Sequence, residues 1–240
     1  MQLLLVILVC FVVYILAQYA RSKWYVRVGE RLAAQAIPFS QQRSHPSFRI
    51  LVAGDSTGVG TGASSPSASL AGLVGARYPS AEVVNVAVNG SRTADVVRQL
   101  EAASSGFDLV MLHVGGNDTV RFTDLVQLEL DVQKLLTLAI RKGRYVLVTS
   151  TGNVGTAPLF PLTVRYLLQG RTHKTREIFL RCIAAQTQNV RYTDLYRDAK
   201  HDPFAQDPSI YYAADLFHPS DAGYRDWFAC MSKELDQFSL

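Results

Sequence analysis

Two short stretches of the chain carry side chains that belong together in acyl-transfer chemistry. Residues 53–65 read AGDSTGVGTGASS, and residues 215–224 read DLFHPSDAGY. In the second, Asp215 and His218 are three positions apart, a spacing that puts both side chains within one turn of chain. A serine hydroxyl is a weak nucleophile at neutral pH and needs a base within hydrogen-bond reach. An imidazole serves when a carboxylate fixes its tautomer and steadies its cation. Ser56 as nucleophile, His218 as base and Asp215 as the orienting acid meet that need. The tetrahedral intermediate also requires donors for its negative oxygen. The backbone amides of Ser56 and Gly90 and the side-chain amide of Asn117 are the candidates, Gly90 because a side chain there would block close approach.

The glycines after Ser56 admit a second reading. GVGTGA at 58–63 satisfies G-x-G-x-x-A, the phosphate-cradling turn of dinucleotide folds. In those folds the first glycine leaves the strand at once and an acidic residue ends the second strand; here GDST intervenes and the second apolar run ends Val88-Asn89. No G-K-[ST] follows, so a nucleotide-binding P-loop is disfavoured as well. The glycines are read instead as letting the backbone pass close to a substrate. Taken singly, Ser56 would cap a helix, Asn117 would be a turn residue, and Asp118 and Asp221 would be first-turn acids. One acyl-transfer site uses Ser56, Gly90, Asn117, Asp215 and His218 together. His113, inside an apolar run, reads as a hydrogen-bonded core histidine. His45, His173 and His201 have no partner pattern.

Elements that could position these residues are legible in the apolar runs at 48–54, 82–88, 108–114, 144–150 and 190–195. They are β-branched and nearly continuous, as strands covered on both faces require. Between them lie helix-like stretches. Ser65 followed by Pro66 marks the start of one that reaches about Arg77, with further helices at about 91–103, 123–142, 172–188 and 220–237. The alternation predicts an α/β fold, a three-layer α/β/α sandwich with its site at the carboxyl ends of the strands. Ser56, Gly90 and Asn117 each follow such an end. The apolar loop at 151–170, broken by Pro158 and Pro161, is expected beside the site as a wall or lid contributing Leu159 and Phe160. Tyr211 and Tyr212, just before Asp215, are candidates for the same pocket, with core packing as the alternative. The cations Arg165, Arg171, Lys174, Arg176 and Arg181 form either a membrane-facing or a solvated helix face.

With these residues in place, the chain resembles the SGNH, or GDSL-type, serine esterases and lipases. GDS at 54–56 matches the block carrying the serine, Gly90 in VNGSRT the glycine block, GGND at 115–118 the asparagine block, and DLFHPSDAGY the block of acid and histidine. The four blocks occur in family order across residues 54–224. The resemblance implies a flavodoxin-like five-stranded parallel sheet and two-step ester hydrolysis with no metal and no cofactor. Thr57 stands where the family usually has leucine, a departure that touches pocket shape and leaves the reacting groups intact.

From Leu3 to Ala17 every residue is apolar, and Gln18, Tyr19 and Ala20 extend the run towards the roughly 20 residues of a membrane-spanning helix. No cation precedes Leu3 and AQYA lacks an A-x-A cleavage site, which favours an uncleaved anchor over a signal peptide. Arg21, Lys23, Arg27 and Arg31 follow the span with Trp24 and Tyr25, so the positive-inside rule places the rest of the chain in the cytoplasm, bound to an inner or plasma membrane. Export is the alternative. The implied division is an anchor at 1–22, a linker at 23–46 and a hydrolase domain at 47–240. The net charge of +4 is scattered rather than gathered into a nucleic-acid stripe, and three cysteines are too few for a disulfide framework or zinc site. Cys182 and Cys230 read as core thiols. The expected substrate is a small or lipid-like ester or thioester, cleaved through an acyl-enzyme on Ser56. Removal or transfer of carbohydrate O-acetyl groups is the enzymatic alternative, and an acyl-binding or scaffold pseudo-hydrolase the non-enzymatic one.

Overall fold

In the computed structural model, which describes residues 2–186 and 189–238, the five apolar runs form one parallel sheet. The strands are β1 (Arg49–Gly54), β2 (Glu82–Asn85), β3 (Phe107–Val114), β4 (Gly143–Ser150) and β5 (Val190–Thr193), in the order β2-β1-β3-β4-β5. β1 pairs with both β2 and β3, so the order changes direction at β1 and opens a crevice beyond its carboxyl end. β2 and β5 stop short of the expected 88 and 195. Beyond β2 the amides of Val86 and Val88 still donate to the carbonyls of Val52 and Gly54, but the Gly54 amide that would continue the ladder is taken by Gln99. Asn85 Oδ1 accepts from the Ala87 amide at 3.0 Å, and Asp194 Oδ1 from the Tyr196 amide at 3.2 Å.

The helices are α1 (Gln2–Gln35), α2 (Ser56–Val59), α3 (Leu70–Arg77), α4 (Thr93–Ala102), α5 (Gly116–Val120), α6 (Leu125–Lys142), α7 (Leu162–Ala184), α8 (Pro203–Gln206), α9 (Pro208–Tyr211) and α10 (Asp221–Leu235). The period-two alternation of the strands divides the core into two layers. Ile50, Val52, Leu109, Met111 and Leu147 pack with Leu70 and Val74 of α3 and Tyr224, Trp227 and Met231 of α10. Leu51, Ala53, Val110, Leu112 and Val148 pack on the other face with Val96 and Leu100 of α4, Val132 and Leu136 of α6 and Phe179 of α7. The fold is the expected three-layer α/β/α sandwich.

Several boundaries move for identifiable reasons. Pro66 opens only a short 3-10 turn, Pro66–Ala68, and Ser65 makes no side-chain cap. The α-helix starts at Leu70, where Ser69 accepts from the Gly72 amide. The segment 151–170 is a loop only in its first half: α7 begins at Leu162, directly after Pro161, ten residues before the expected 172. Its expected end at Gln188 and the domain end at Leu240 lie outside the described residues. The basic face of α7 is largely partnered. Arg176 pairs with Asp194, Arg181 with Glu129, and Arg165 and Arg171 donate to the carbonyls of Gly155 and Thr123. Cys182 is buried, whereas Cys230 is half-buried and receives an Arg197 guanidinium N–H at 3.0 Å.

The N-terminal segment is one uninterrupted helix of 34 residues, about 51 Å at 1.5 Å per residue. It is long and apolar enough to cross a membrane, a test that a signal sequence also passes. Residues 23–35, expected as linker, continue the helix. The chain after it is tied down as well: Gln41 bridges Val83 of β2 in antiparallel fashion, and Phe39 packs on Gly75 of α3.

Candidate active site

Ser56 opens α2 immediately after β1, and Asp55 caps that helix by accepting from the Thr57 amide and hydroxyl at 2.9 and 2.8 Å. The end of β1 is itself clamped by Gln99 of α4. Its side chain accepts from the Gly54 amide at 2.8 Å and donates to the Gly54 carbonyl at 2.9 Å and to Ser91 Oγ at 3.0 Å. One glutamine thus fixes the strand end that carries Ser56 to the turn that carries Gly90.

Asp215 and His218 reach Ser56 from the loop before α10. Asp215 Oδ1 accepts from the Phe217 and His218 amides, both at 3.0 Å, and holds Leu216 in the left-handed region at φ +57°. Oδ2 lies 2.5 Å from His218 Nδ1, and His218 Nε2 lies 2.9 Å from Ser56 Oγ. When Nδ1 carries the proton donated to Asp215, Nε2 is the acceptor for the Ser56 hydroxyl. All three side chains are nearly or fully buried. Burial opposes ionisation of Asp215, but the hydrogen bond from the His218 ring, its charge and the two amides outweigh it and hold the carboxyl below its ordinary range.

Of the glycines after Ser56, Gly58 and Gly60 lie against Ala87 and Ser69, and Gly62 serves the histidine loop. Gly62 has φ +95°, and a Cβ there would stand 2.4 Å from the Pro219 carbonyl and 3.1 Å from His218 Cβ. The turn therefore passes flush against the histidine loop. Ser64 adds two bonds to Asp221, from its amide at 2.7 Å and its hydroxyl at 2.6 Å, and Tyr224 Oη donates to the Thr61 carbonyl at 2.7 Å. The serine and histidine segments, 162 positions apart, are locked together.

Gly90 (φ +77°) and Asn117 line the same groove as Ser56 and His218. Asn117 Nδ2 donates to the Ser91 carbonyl at 3.1 Å, which orients the amide and leaves its second N–H free of that bond. Asp118 is fully buried, with Oδ2 accepting from the Thr93 amide and hydroxyl at 2.9 and 2.7 Å. It joins the asparagine block to α4 instead of acting as a bare first-turn acid. His113 is buried as expected but not hydrogen-bonded: neither ring nitrogen has a partner among the described residues, and burial pushes it down to about 4. Burial likewise pushes the Asp55 carboxyl up to about 6, against the bonds from Thr57 and the charge of nearby His218.

Two hollows meet at Ser56. One, about 50 Å³, lies among Thr156, Tyr212, Phe204 and Trp227. The other is an apolar groove of about 370 Å³ that includes Leu159 and Phe160. Of the two tyrosines, Tyr212 lines the smaller hollow, with its hydroxyl 2.9 Å from that of Thr156. Tyr211 is not among the residues lining either hollow and packs on Phe204 at 5.5 Å. The groove also takes Tyr25, Val26, Gly29, Glu30 and Ala33 from α1, which the sequence reading left out. Their signal was present as a helical stripe in KWYVRVGERLAAQ, hidden by its place next to an obvious membrane-like run. Among the described residues no group of three or more His, Cys, Asp and Glu could hold a metal ion.

Comparison with known proteins bears on the family and the fold. The GDSL-like Lipase/Acylhydrolase family profile matches residues 52–225. A search of curated proteins returned no match. Among solved structures, a member of the lipolytic protein G-D-S-L family from Veillonella parvula is 20% identical, with 79% of this chain and 99% of that one covered and a TM-score of 0.59. A protein from Lactobacillus plantarum is 22% identical over 82% of this chain and 100% of its own, with a TM-score of 0.63. An acetylxylan esterase from Geobacillus stearothermophilus is 19% identical over 82% and 98%, with a TM-score of 0.55. At these identities the structures speak for the shared fold, while the profile spans well over half the chain: it belongs to the GDSL-like lipase/acylhydrolase family of esterases and lipases.

Proposed function

We propose that the chain is a membrane-anchored serine hydrolase that cleaves lipid-like carboxylic esters or thioesters through an acyl-enzyme on Ser56. The observation that carries this reading is the continuous chain Ser56 Oγ, His218 Nε2, His218 Nδ1, Asp215 Oδ2, with links of 2.9 and 2.5 Å. In the first step Ser56 Oγ attacks the ester carbonyl as its proton passes to Nε2, and Asp215 stabilises the imidazolium without taking the proton. The negative oxygen of the tetrahedral intermediate is held by the amides of Ser56 and Gly90 and by Asn117 Nδ2. Collapse expels the alcohol or thiol, which receives the proton from Nε2. A water then repeats the sequence on the acyl-enzyme, losing its proton to Nε2, and releases the acid.

The lipid-like preference is supported by the apolar groove at Ser56 and by α1. The anchor reading is supported by the continuity of α1 from the apolar run into contacts with the domain. The four cations after the span favour a cytoplasmic domain at an inner or plasma membrane. A second reading, hydrolysis or transfer of short acyl groups such as O-acetyl, is favoured by the smaller hollow of about 50 Å³ beside Ser56. A fluorophosphonate probe tests the nucleophile: it labels the wild-type protein on Ser56 and leaves Ser56→Ala unlabelled. Labelling elsewhere, or Ser56→Ala keeping more than a tenth of the ester hydrolysis, would refute the assignment.

A further inference from the structure

The helix carrying the apolar N-terminal run does not stop where that run stops. From Leu3 to Tyr19 its large apolar side chains are exposed. From Ser22 onward, Tyr25, Val28, Gly29, Leu32 and Ala33 are partly covered by the domain, at the spacing of three and four that makes one helical stripe. Two polar contacts pin the stripe. Ser22 Oγ donates to the Leu159 carbonyl at 3.2 Å, and Asn89 Nδ2 donates to the Ala33 carbonyl at 3.0 Å. That carbonyl is one of the last four of the helix, which lack a partner within it. Asn89 also accepts from Thr61 Oγ1 at 2.7 Å, so α1 is tied to the turn that follows Ser56. Between the pins Gly29 lies against Asp215: a Cβ there would stand 2.9 Å from Oδ2.

This docking makes Tyr25, Val26, Gly29 and Ala33 part of the lining of the groove of about 370 Å³ that holds Ser56 and His218. Leu159, Phe160 and Phe217 line it from the domain, and Phe160 and Phe217 meet edge to face at 5.8 Å. Leu162 and Tyr166, just beyond Phe160, leave 72% and 79% of their surface exposed and continue the apolar surface outward. Along α1 the stretch from Ala33 to Tyr25 is about 12 Å, and Tyr25 is about 10 Å from Gln18, where the apolar run ends. The interfacial layer of a bilayer is about 5–8 Å deep on each side. The Tyr25 end of the groove therefore opens just outside the aqueous edge of that layer, and the Asn89 and Gly90 end lies farthest from it.

We infer that residues 25–33 of α1 are a wall of the substrate channel, and that the long hydrocarbon chain of a lipid ester lies along them with its far end toward the bilayer. The inference rests on Ser56 as nucleophile and on α1 being retained in the membrane. The chain is either the acyl group or the alcohol's; both are straight hydrocarbon and both fit the lining. The anchor helix then selects the substrate as well as holding the domain.

The test uses full-length protein in phosphatidylcholine and phosphatidylglycerol vesicles, comparing wild type with Val26→Trp and Ala33→Phe. One series sets p-nitrophenyl palmitate against p-nitrophenyl acetate; the other sets hexadecyl acetate against ethyl acetate. The expected result is a fall of at least tenfold in the long-to-short ratio of kcat/KM in one series, which also tells which side of the ester carries the chain. Ratios within twofold of wild type in both series and both folded variants would overturn it. A measurement on the wild type removes dependence on the variants folding: an octyl fluorophosphonate with a terminal diazirine, short enough for its far end to lie within the groove, is allowed to react and is then irradiated. Crosslinks to residues 22–33 are expected. Labelled Ser56 with crosslinks confined to other segments overturns the channel alone, whereas no label on Ser56 overturns the nucleophile assignment and the channel with it.

Discussion

Replacing Asp215 by asparagine separates the two jobs of that side chain. Oδ1 accepts the Phe217 and His218 amides at 3.0 Å each, bonds that an asparagine oxygen reproduces. Oδ2, at 2.5 Å from His218 Nδ1, is replaced by an NH2 group that can only donate. The imidazole must then present a bare Nδ1 and carry its proton on Nε2, the nitrogen 2.9 Å from Ser56 Oγ. In that tautomer Nε2 donates to the serine instead of accepting from it, and nothing removes the hydroxyl proton. The expected loss in kcat is about 10⁴, or about 5 kcal/mol of transition-state stabilisation, with the loop geometry intact. Asp215→Ala should lose a similar rate and also the clamp on Leu216, whose φ of +57° is costly without it, lowering stability by a further ~1–3 kcal/mol. The assay is p-nitrophenyl butyrate hydrolysis by the full-length protein in detergent, read beside its thermal unfolding. An Asp215→Asn enzyme with kcat within tenfold of wild type, under conditions where Ser56→Ala is inactive, would refute the assigned tautomer. Equal losses of Tm in the two Asp215 variants would refute the separation of roles.

Three further outcomes are expected. Asn117→Ala should lower kcat about 10² to 10³-fold with little change in KM, because its amide acts on charge that appears only in the transition state; a normal kcat would remove it from the oxyanion hole. The Asp55 carboxyl, at about 6 when folded against an ordinary 3.8, binds more protons folded than unfolded, so its own contribution to stability is fully present below about pH 4 and is lost as pH rises to about 6. Asp55→Asn, which keeps the Oδ1 contacts to Thr57, should abolish that slope, so the gap in stability between variant and wild type grows by about 3 kcal/mol from pH 4 to pH 7; parallel pH curves of thermal unfolding would contradict it. A C-terminal alkaline phosphatase fusion, active only when exported, should be silent and a fluorescent protein fusion bright at the membrane; the reverse pattern, or a mature N-terminus near residue 21, would reverse the topology.

The strands could be read from the sequence because a sheet covered on both faces needs nearly continuous apolar runs, and FRILVAG and DLVMLHV supply them. The partners of Ser56 could be read because acyl transfer restricts residue type: only a histidine with a nearby acid at a chain turn fits, and DLFH is one such place. What was not legible depends on contacts between distant segments. Nothing in GVGTG says that Gly62 will face Pro219, or that Gln99 will clamp both backbone groups of Gly54 from α4, the third helix downstream. The start of α7 was hidden because PLFPLTVRYLL is apolar without a clear period, and prolines at 158 and 161 suggested a loop where the second opens a helix.

The same distinction explains why the contacts of α1 with the domain were not legible. A hydrophobic run of membrane length draws attention to lipid, and the weaker stripe that follows it reads as a polar connection. Yet residues 24–33 obey two rules at once: Trp24, Arg27 and Arg31 stay exposed, while small residues, Gly29 and Ala33, come up against the domain. Small residues are required there because Asp215 Oδ2 already occupies the space that a Cβ on Gly29 would need. A purely tethering helix carries no such constraint and would accept any helix former at position 29. Gly29 therefore costs helix propensity for the sake of a close approach, and the group approached is the carboxylate that orients His218. The long apolar helix and the Asp215–His218 pair are thus joined through one position of the chain.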